Sequence, residues 1–215
     1  MPNKPRNSNK FIRRHLALGG AGILCCLSLA ACVSTPPSSL TNVCDIFTEK
    51  RSWYKEAKKS SEKWNSPIPV MMAFLHQESR FVANARPPRK KILWIFPGPR
   101  ASSAYGYSQA KDATWEWYID ASGNRGADRD DFADAIDFVG WYNSLSRQRN
   151  QIPASDSYHL YLAYHEGHGG YTRQTFRDKA WLLDVAGKVK SLSQRYHQQL
   201  TGCEEDLQSP WWWPF

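Results

Sequence analysis

The chain has 215 residues, with 28 Lys and Arg against 20 Asp and Glu, long enough for one domain with a real core. Five of the basic residues and none of the acids precede residue 32. Beyond that point the positive excess is only three, too weak to read as a nucleic-acid surface and compatible with an anionic polymer. Ten Trp and ten Tyr suit stacking on sugar rings and equally suit an aromatic core.

Lys4, Arg6, Lys10, Arg13 and Arg14 form a basic head, and Leu16 to Leu29 is an apolar run of small and aliphatic residues. The run is too short for a comfortable membrane span and small residues follow it, the pattern of a secretory signal. Its end, Leu29-Ala30-Ala31-Cys32, resembles the lipobox of bacterial lipoproteins. That resemblance implies a signal peptide over 1–31, cleavage before Cys32 and a lipid on Cys32; a plain signal or an uncleaved anchor is the alternative. Val33, not Asp, follows the cysteine, which by the sorting rule of enterobacterial lipoproteins implies the outer membrane. Cys25 and Cys26 leave with the signal, so Cys44 and Cys203 remain and are expected to pair in an oxidising periplasm. Residues 32–42, rich in Ser, Thr and Pro, make the lipidated cysteine and a tether.

Val43 to Trp64 reads as one helix with Ile46, Trp53, Ala57 and Trp64 on its apolar side. Pro67 and Pro69 stop it and start the next, over Ile68 to Val82. At about 100° per residue Met71, Phe74, Leu75 and Val82 share one arc, and Glu78 falls inside it. His76, Gln77 and Arg80 take the other sides. A carboxyl against apolar neighbours has its charged form disfavoured and its pKa raised, as a general acid requires near neutral pH. A structural Glu paired with an arginine is the plainer reading.

Residues 86–100 set prolines, a glycine and a basic cluster around the apolar run Ile92 to Phe96. This long loop has room for a strand or hairpin, and reads either as a cleft wall or as a surface loop with Trp94 and Phe96 tucked into the body. A short helix at Ala113 to Ile119 and a Gly/Asn-rich turn at 122–127 follow. The helix from Asp130 to Arg149 carries Phe132, Ala135, Ile136, Val139 and Tyr142 on one face, with Asp128 or Asp130 as its cap. Ser157 to His165 is short and aromatic and runs into E-G-H-G-G. A last amphipathic helix, Thr175 to Gln199, shows Leu182, Val185, Val189, Leu192 and Tyr196. The Trp-rich tail 206–215 fits a membrane interface, a glycan, a partner protein or a frayed end.

Three pieces now converge. Glu78-Ser79 at a helix end, Gly106-Tyr107-Ser108-Gln109 after the loop and Ala163-Tyr164-His165-Glu166-Gly167 before a glycine turn resemble the E-S, G-L-M-Q and A-Y-N-x-G signatures of lytic transglycosylases of the soluble (SLT) type. Order and approximate spacing agree over most of residues 65–200. The departures are Tyr107-Ser108 for Leu-Met and His165 for Asn. The resemblance implies a mainly α, α+β lysozyme-like fold over residues 43–205, a single helical domain with a glycan cleft. It further implies cleavage of the MurNAc–GlcNAc β-1,4 bond of peptidoglycan by one glutamate, leaving a 1,6-anhydro sugar. By this resemblance Glu78 acts first as acid and then as base, and Gln109 orients the sugar or its N-acetyl group. The Tyr164 hydroxyl holds Glu78, Ser79 bonds near the substrate or the glutamate, and Gly106, Tyr107 and His165 complete the substrate contacts.

His159, His165 and His168 lack the spacing of H-E-x-x-H, so neither metal nor cofactor is expected. Hydrolytic lysozymes use a second carboxylate; Asp128, Asp130, Asp131, Asp134 and Asp137 are explained more cheaply by capping and solvated faces. The expectation is an outer-membrane lipoprotein facing the periplasm, monomeric, acting on peptidoglycan strands. It is held at the membrane through the lipid on Cys32, with cell-envelope proteins as further partners and no nucleic acid. A hydrolytic muramidase and a weakly active peptidoglycan-binding scaffold are the alternatives.

Overall fold

Pro67 and Pro69 start α3 (Ile68–Ser79), Pro67 as an extended N-cap and Pro69 in the first turn, where no backbone N–H is missed. Every residue from Ile68 to Leu75 is buried, so this helix is core on all sides. Met71, Met72, Phe74 and Leu75 are fully buried, each contributing about 1.5–3 kcal/mol by removal from water. The structure, a computed structural model, describes residues 34–92 and 95–208. The expected signal segment 1–31, Cys32, Trp94 and the end of the Trp-rich tail lie outside the described residues.

The helix stops at Ser79, short of Val82, because Arg80 and Phe81 both take left-handed backbone with φ of 52° and 61°. That conformation is costly for residues with a Cβ. Complete burial of Phe81 against Trp53, ring centroids 5.8 Å apart, holds it in place. Glu78 is thereby left in the last turn of α3, and Val82 drops out of the apolar arc.

The single helix expected over Val43 to Trp64 is two, α1 (Val43–Glu49) and α2 (Arg51–Trp64), separated where Lys50 leaves helical geometry. α1 packs on α7 (Ala180–Gln208), whereas α2 packs on α5 (Phe132–Asn150). The break lets one run of chain serve two partners. Cys44 and Cys203 form a disulfide with a Cα separation of 6.1 Å, and the Val43 N–H donates to Gln199 Oε1 at 3.0 Å. The pairing read from the cysteine count is thus present.

The basic loop holds an antiparallel hairpin of β1 (Arg89–Ile92) and β2 (Phe96–Arg100), with a register irregularity between Arg89 and Lys91. Both strands are edges, which tolerates Pro97 and Pro99. Ile95 is 79% exposed and Phe96 61%, so Phe96 does not tuck into the body. α4 (Asp112–Ser122) ends on a left-handed Gly123. The cap of α5 is Asp131, which accepts from the Asp134 N–H, and not Asp128 or Asp130; Asp130 instead accepts from the Tyr105 hydroxyl at 2.6 Å. α6 (Ser157–Thr172) is longer than its aromatic stretch suggested and is broken at Gly167, while α7 begins later and runs further than the sequence periodicity predicts. α3 packs on α7 and α5, and α6 packs on α5 and α7. The domain is mainly α and lysozyme-like, with the end of α3 and the Gly167 kink of α6 lining one cleft.

Candidate active site

The Glu78 side chain stands on the floor of a cleft of about 390 Å³ whose walls include Gln109, Phe138, Tyr142, Tyr164 and His165. Burial of its carboxyl raises the pKa to about 7, against a hydrogen bond from Tyr161 that lowers it. Its position in the last turn of α3 acts in the same direction as burial, because the C-terminal end of a helix disfavours an anion. Phe74, one turn earlier, places its ring edge-on to Tyr161 at 5.2 Å and to Tyr164 at 5.3 Å, so the carboxyl emerges from an aromatic collar.

Within that collar the two tyrosines divide their tasks. The Tyr161 hydroxyl donates to Glu78 Oε1 at 2.9 Å, while the Tyr164 hydroxyl donates to the Ser108 carbonyl at 2.7 Å. The family resemblance implies Tyr164 as the holder of Glu78; the structure gives that bond to the residue one helical turn earlier. Tyr164 lines the cleft and ties α6 to the turn at 106–109. The rings of Tyr161 and Tyr164 lie nearly parallel, 17° apart, as residues three apart on one helix face should. That spacing was the available signal for Tyr161.

The Gly106-Tyr107-Ser108-Gln109 turn is fixed from three sides. The Gly106 N–H donates to Ala85 O at 2.9 Å and the Tyr107 N–H to Arg129 O at 3.0 Å. Gly106 has φ of 77°, and a Cβ there would come within 2.0 Å of the Arg129 carbonyl oxygen, so only glycine fits. Its place is structural rather than a substrate contact. Tyr107 is buried, its ring edge-on to Trp53 at 5.7 Å and to Phe132 at 5.9 Å, and those two rings stack on each other at 3.9 Å. It therefore faces the core and not the cleft, a core place that suits the apolar Leu of the signature. Gln109 does line the cleft, in left-handed backbone with φ of 51°. Its Nε2 donates to Ala85 O at 3.0 Å and Gly106 O at 2.9 Å. Both amide protons are used, so Oε1 is the atom left to receive a donor. Ser79 is buried and returns its hydroxyl to Leu75 O at 3.1 Å, away from both the cleft and the glutamate.

Gly167 breaks α6 with φ of 74° and ψ of 159°, a region essentially reserved for glycine. Just before it, His165 is exposed at the cleft, its Nδ1 3.0 Å from Glu166 Oε1. Glu166, which sequence reasoning passed over, keeps only 4% of its side chain exposed and is clamped by Lys179 Nζ at 2.7 and 2.8 Å. Burial raises its pKa, but bonds from Lys179, Thr175 and His165 outweigh that and hold it down at about 2. His168 is buried, stacked on Tyr142 at 4.5 Å with Nε2 3.1 Å from Ser146 Oγ. Burial and then Arg149 push its pKa down to about 4. His159 faces Asp156 at 2.7 Å. The three histidines thus serve three different partners, and no group of three metal-ligating side chains occurs among the described residues.

A family model for the transglycosylase SLT domain matches residues 21–203. The chain belongs to that family. A comparison with curated proteins returns no match. As an SLT transglycosylase domain it is of the peptidoglycan-cleaving type, and its cleft holds Glu78, whose carboxyl burial lifts toward neutrality. The aspartates of the α5 region are committed elsewhere. Asp134 accepts from Asn124 and from the Asp128 N–H, and Asp137 from Lys63, Trp64 and Tyr118.

Proposed function

We propose that this protein is a lytic transglycosylase that cuts the MurNAc–GlcNAc β-1,4 bond without water and leaves a 1,6-anhydroMurNAc end. The observation that carries the reading is the Glu78 carboxyl, set in an aromatic collar at the cleft and held by the Tyr161 hydroxyl at 2.9 Å, where burial pushes its pKa up to about 7. The other carboxyl lining the cleft, Glu166, is held ionised by Lys179. An acid and base in sequence requires one group able to do both at neutral pH.

Protonated Glu78 gives its proton to the glycosidic oxygen as the C1–O bond breaks, releasing the GlcNAc 4-hydroxyl. The resulting carboxylate takes the proton of the MurNAc C6 hydroxyl while that oxygen bonds to C1. Glu78 ends protonated, and no water is consumed. Tyr161 steadies the carboxylate stage through its hydroxyl bond, and Gln109 Oε1 receives an N–H or O–H of the sugar. His165 stands where the family signature has Asn and offers a ring nitrogen at the same cleft edge.

The cellular setting belongs to the same proposal. The basic head, short apolar run and L-A-A-C sequence support an outer-membrane lipoprotein anchored at Cys32 and facing the periplasm, and a Cys44–Cys203 disulfide suits that compartment. Digestion of peptidoglycan followed by mass spectrometry tests the chemistry. Anhydro-ended muropeptides are expected, and reducing ends carrying one added water would show a hydrolytic muramidase instead. The Glu78→Gln protein should lose about 10²–10⁴-fold in turnover while still binding glycan; full retention of function by this variant would mark a scaffold.

A further inference from the structure

Trp181, in the first turn of α7, is 56% exposed, although an indole gains much from burial. It is nevertheless fixed. Its ring meets the His165 imidazole edge-to-face, centroids 5.1 Å apart and planes at 77°, and His165 lines the cleft. His165 is tied through Nδ1 to Glu166, and Glu166 is tied to Lys179 and Thr175. Lys179 and Trp181 are two residues apart, so these contacts close a ring from the start of α7 to the kink of α6 and back. The ring holds an exposed aromatic face beside the cleft at which Glu78 works.

We propose that the exposed face of Trp181 is a sugar-stacking subsite for a pyranose of the glycan strand lying beyond the bond cut at Glu78. The inference rests on the transglycosylase reading and extends it to a residue outside all three signature segments. A pyranose presents a face of C–H groups, and the electron-rich face of an indole attracts them. With His165 Nδ1 engaged by Glu166, Nε2 is the nitrogen left for a hydroxyl or amide of the same sugar. Trp181 touches His165, and His165 lines the same cleft as Glu78, which is why a glycan is favoured over a protein partner.

The test uses the full chain carrying Glu78→Gln, so that glycan is bound and not cut, with a β-1,4-linked N-acetylglucosamine hexamer as probe in calorimetry. Adding Trp181→Ala should weaken binding by about five- to tenfold, and adding Trp181→Tyr should restore most of it. In the active protein Trp181→Ala should raise KM on peptidoglycan by a similar factor, clearly more than it lowers kcat. Should the hexamer bind too weakly to measure, the KM comparison decides. Circular dichroism melting of each variant confirms an intact fold. Equal affinity and equal KM with and without Trp181, in a protein that does cleave glycan, would overturn the subsite alone. If the parent neither binds nor cleaves glycan, the transglycosylase reading falls and takes the subsite with it.

Discussion

The Tyr161 hydroxyl donates to Glu78 Oε1 across 2.9 Å and opposes the rise that burial imposes on the carboxyl. A general acid must be protonated to act, so kcat/KM should fall as pH rises through about 7. Tyr161→Phe removes a bond that favours the anion. The alkaline limb should therefore move to higher pH, with kcat/KM at the optimum down by about tenfold. Tyr164→Phe breaks the tie to Ser108 and leaves the Tyr161 bond in place, so its limb should coincide with that of the parent. Profiles of the three proteins on peptidoglycan check this, and a limb that follows Tyr164 instead would contradict it.

Glu78 also bears on stability. Its pKa in the folded protein, about 7, lies above the ordinary 4.5, so folding favours the protonated form. The stability this contributes is fully present below pH 4.5 and is lost as pH rises through 7. Glu78→Gln should accordingly melt at higher temperature than the parent at pH 8, and the difference should vanish near pH 4. Thermal unfolding at the two pH values measures both.

Glu166 has the opposite sign. Its folded pKa of about 2 lies below the ordinary 4.5, so its contribution is present above pH 4.5 and disappears as pH falls toward 2. The parent should lose more melting temperature between pH 5 and pH 2.5 than Glu166→Gln does. Lys179→Met, which leaves a nearly buried carboxylate without its cation, should destabilise at pH 7 and much less at pH 2.5.

The Cys44–Cys203 bridge closes a loop with a sequence separation of 159. On the chain-entropy account such a loop stabilises by up to about 4–5 kcal/mol, or about 10–20 °C in melting temperature for a domain of this size. Reduction, or the Cys44→Ala/Cys203→Ala pair, should lower the melting temperature by that order. Thiol titration of the unreduced, unfolded protein should find neither cysteine free.

The placement of Glu78 was legible because helical periodicity alone puts it among Met71, Phe74 and Leu75. What periodicity could not decide is which of two tyrosines one turn apart would reach it. Tyr161 and Tyr164 share a face of α6, and the choice depends on how α6 lies against α3, a tertiary relation. Tyr107 was misplaced for a similar reason. Its neighbours Trp53 and Phe132 are distant in sequence, and the signature gives a residue type without its direction. Glu166 occupies the variable position of its signature, and the lysine that clamps it is 13 residues away across a turn over 173–178, where the amphipathic pattern predicts helix from Thr175. The hairpin was legible as a break in pattern, but the exposure of Phe96 was not.

The long final helix has a temporal meaning. α3, which carries Glu78, and α1, which carries Cys44, both pack on α7, an element that leaves a ribosome or an export channel well after both. Until that helix arrives, Cys44 has no partner and the acid's helix lacks one of its main packing surfaces. The helix of the proposed acid is therefore fully supported only once α7 has been made, so a polypeptide stalled or clipped before α7 would lack that support.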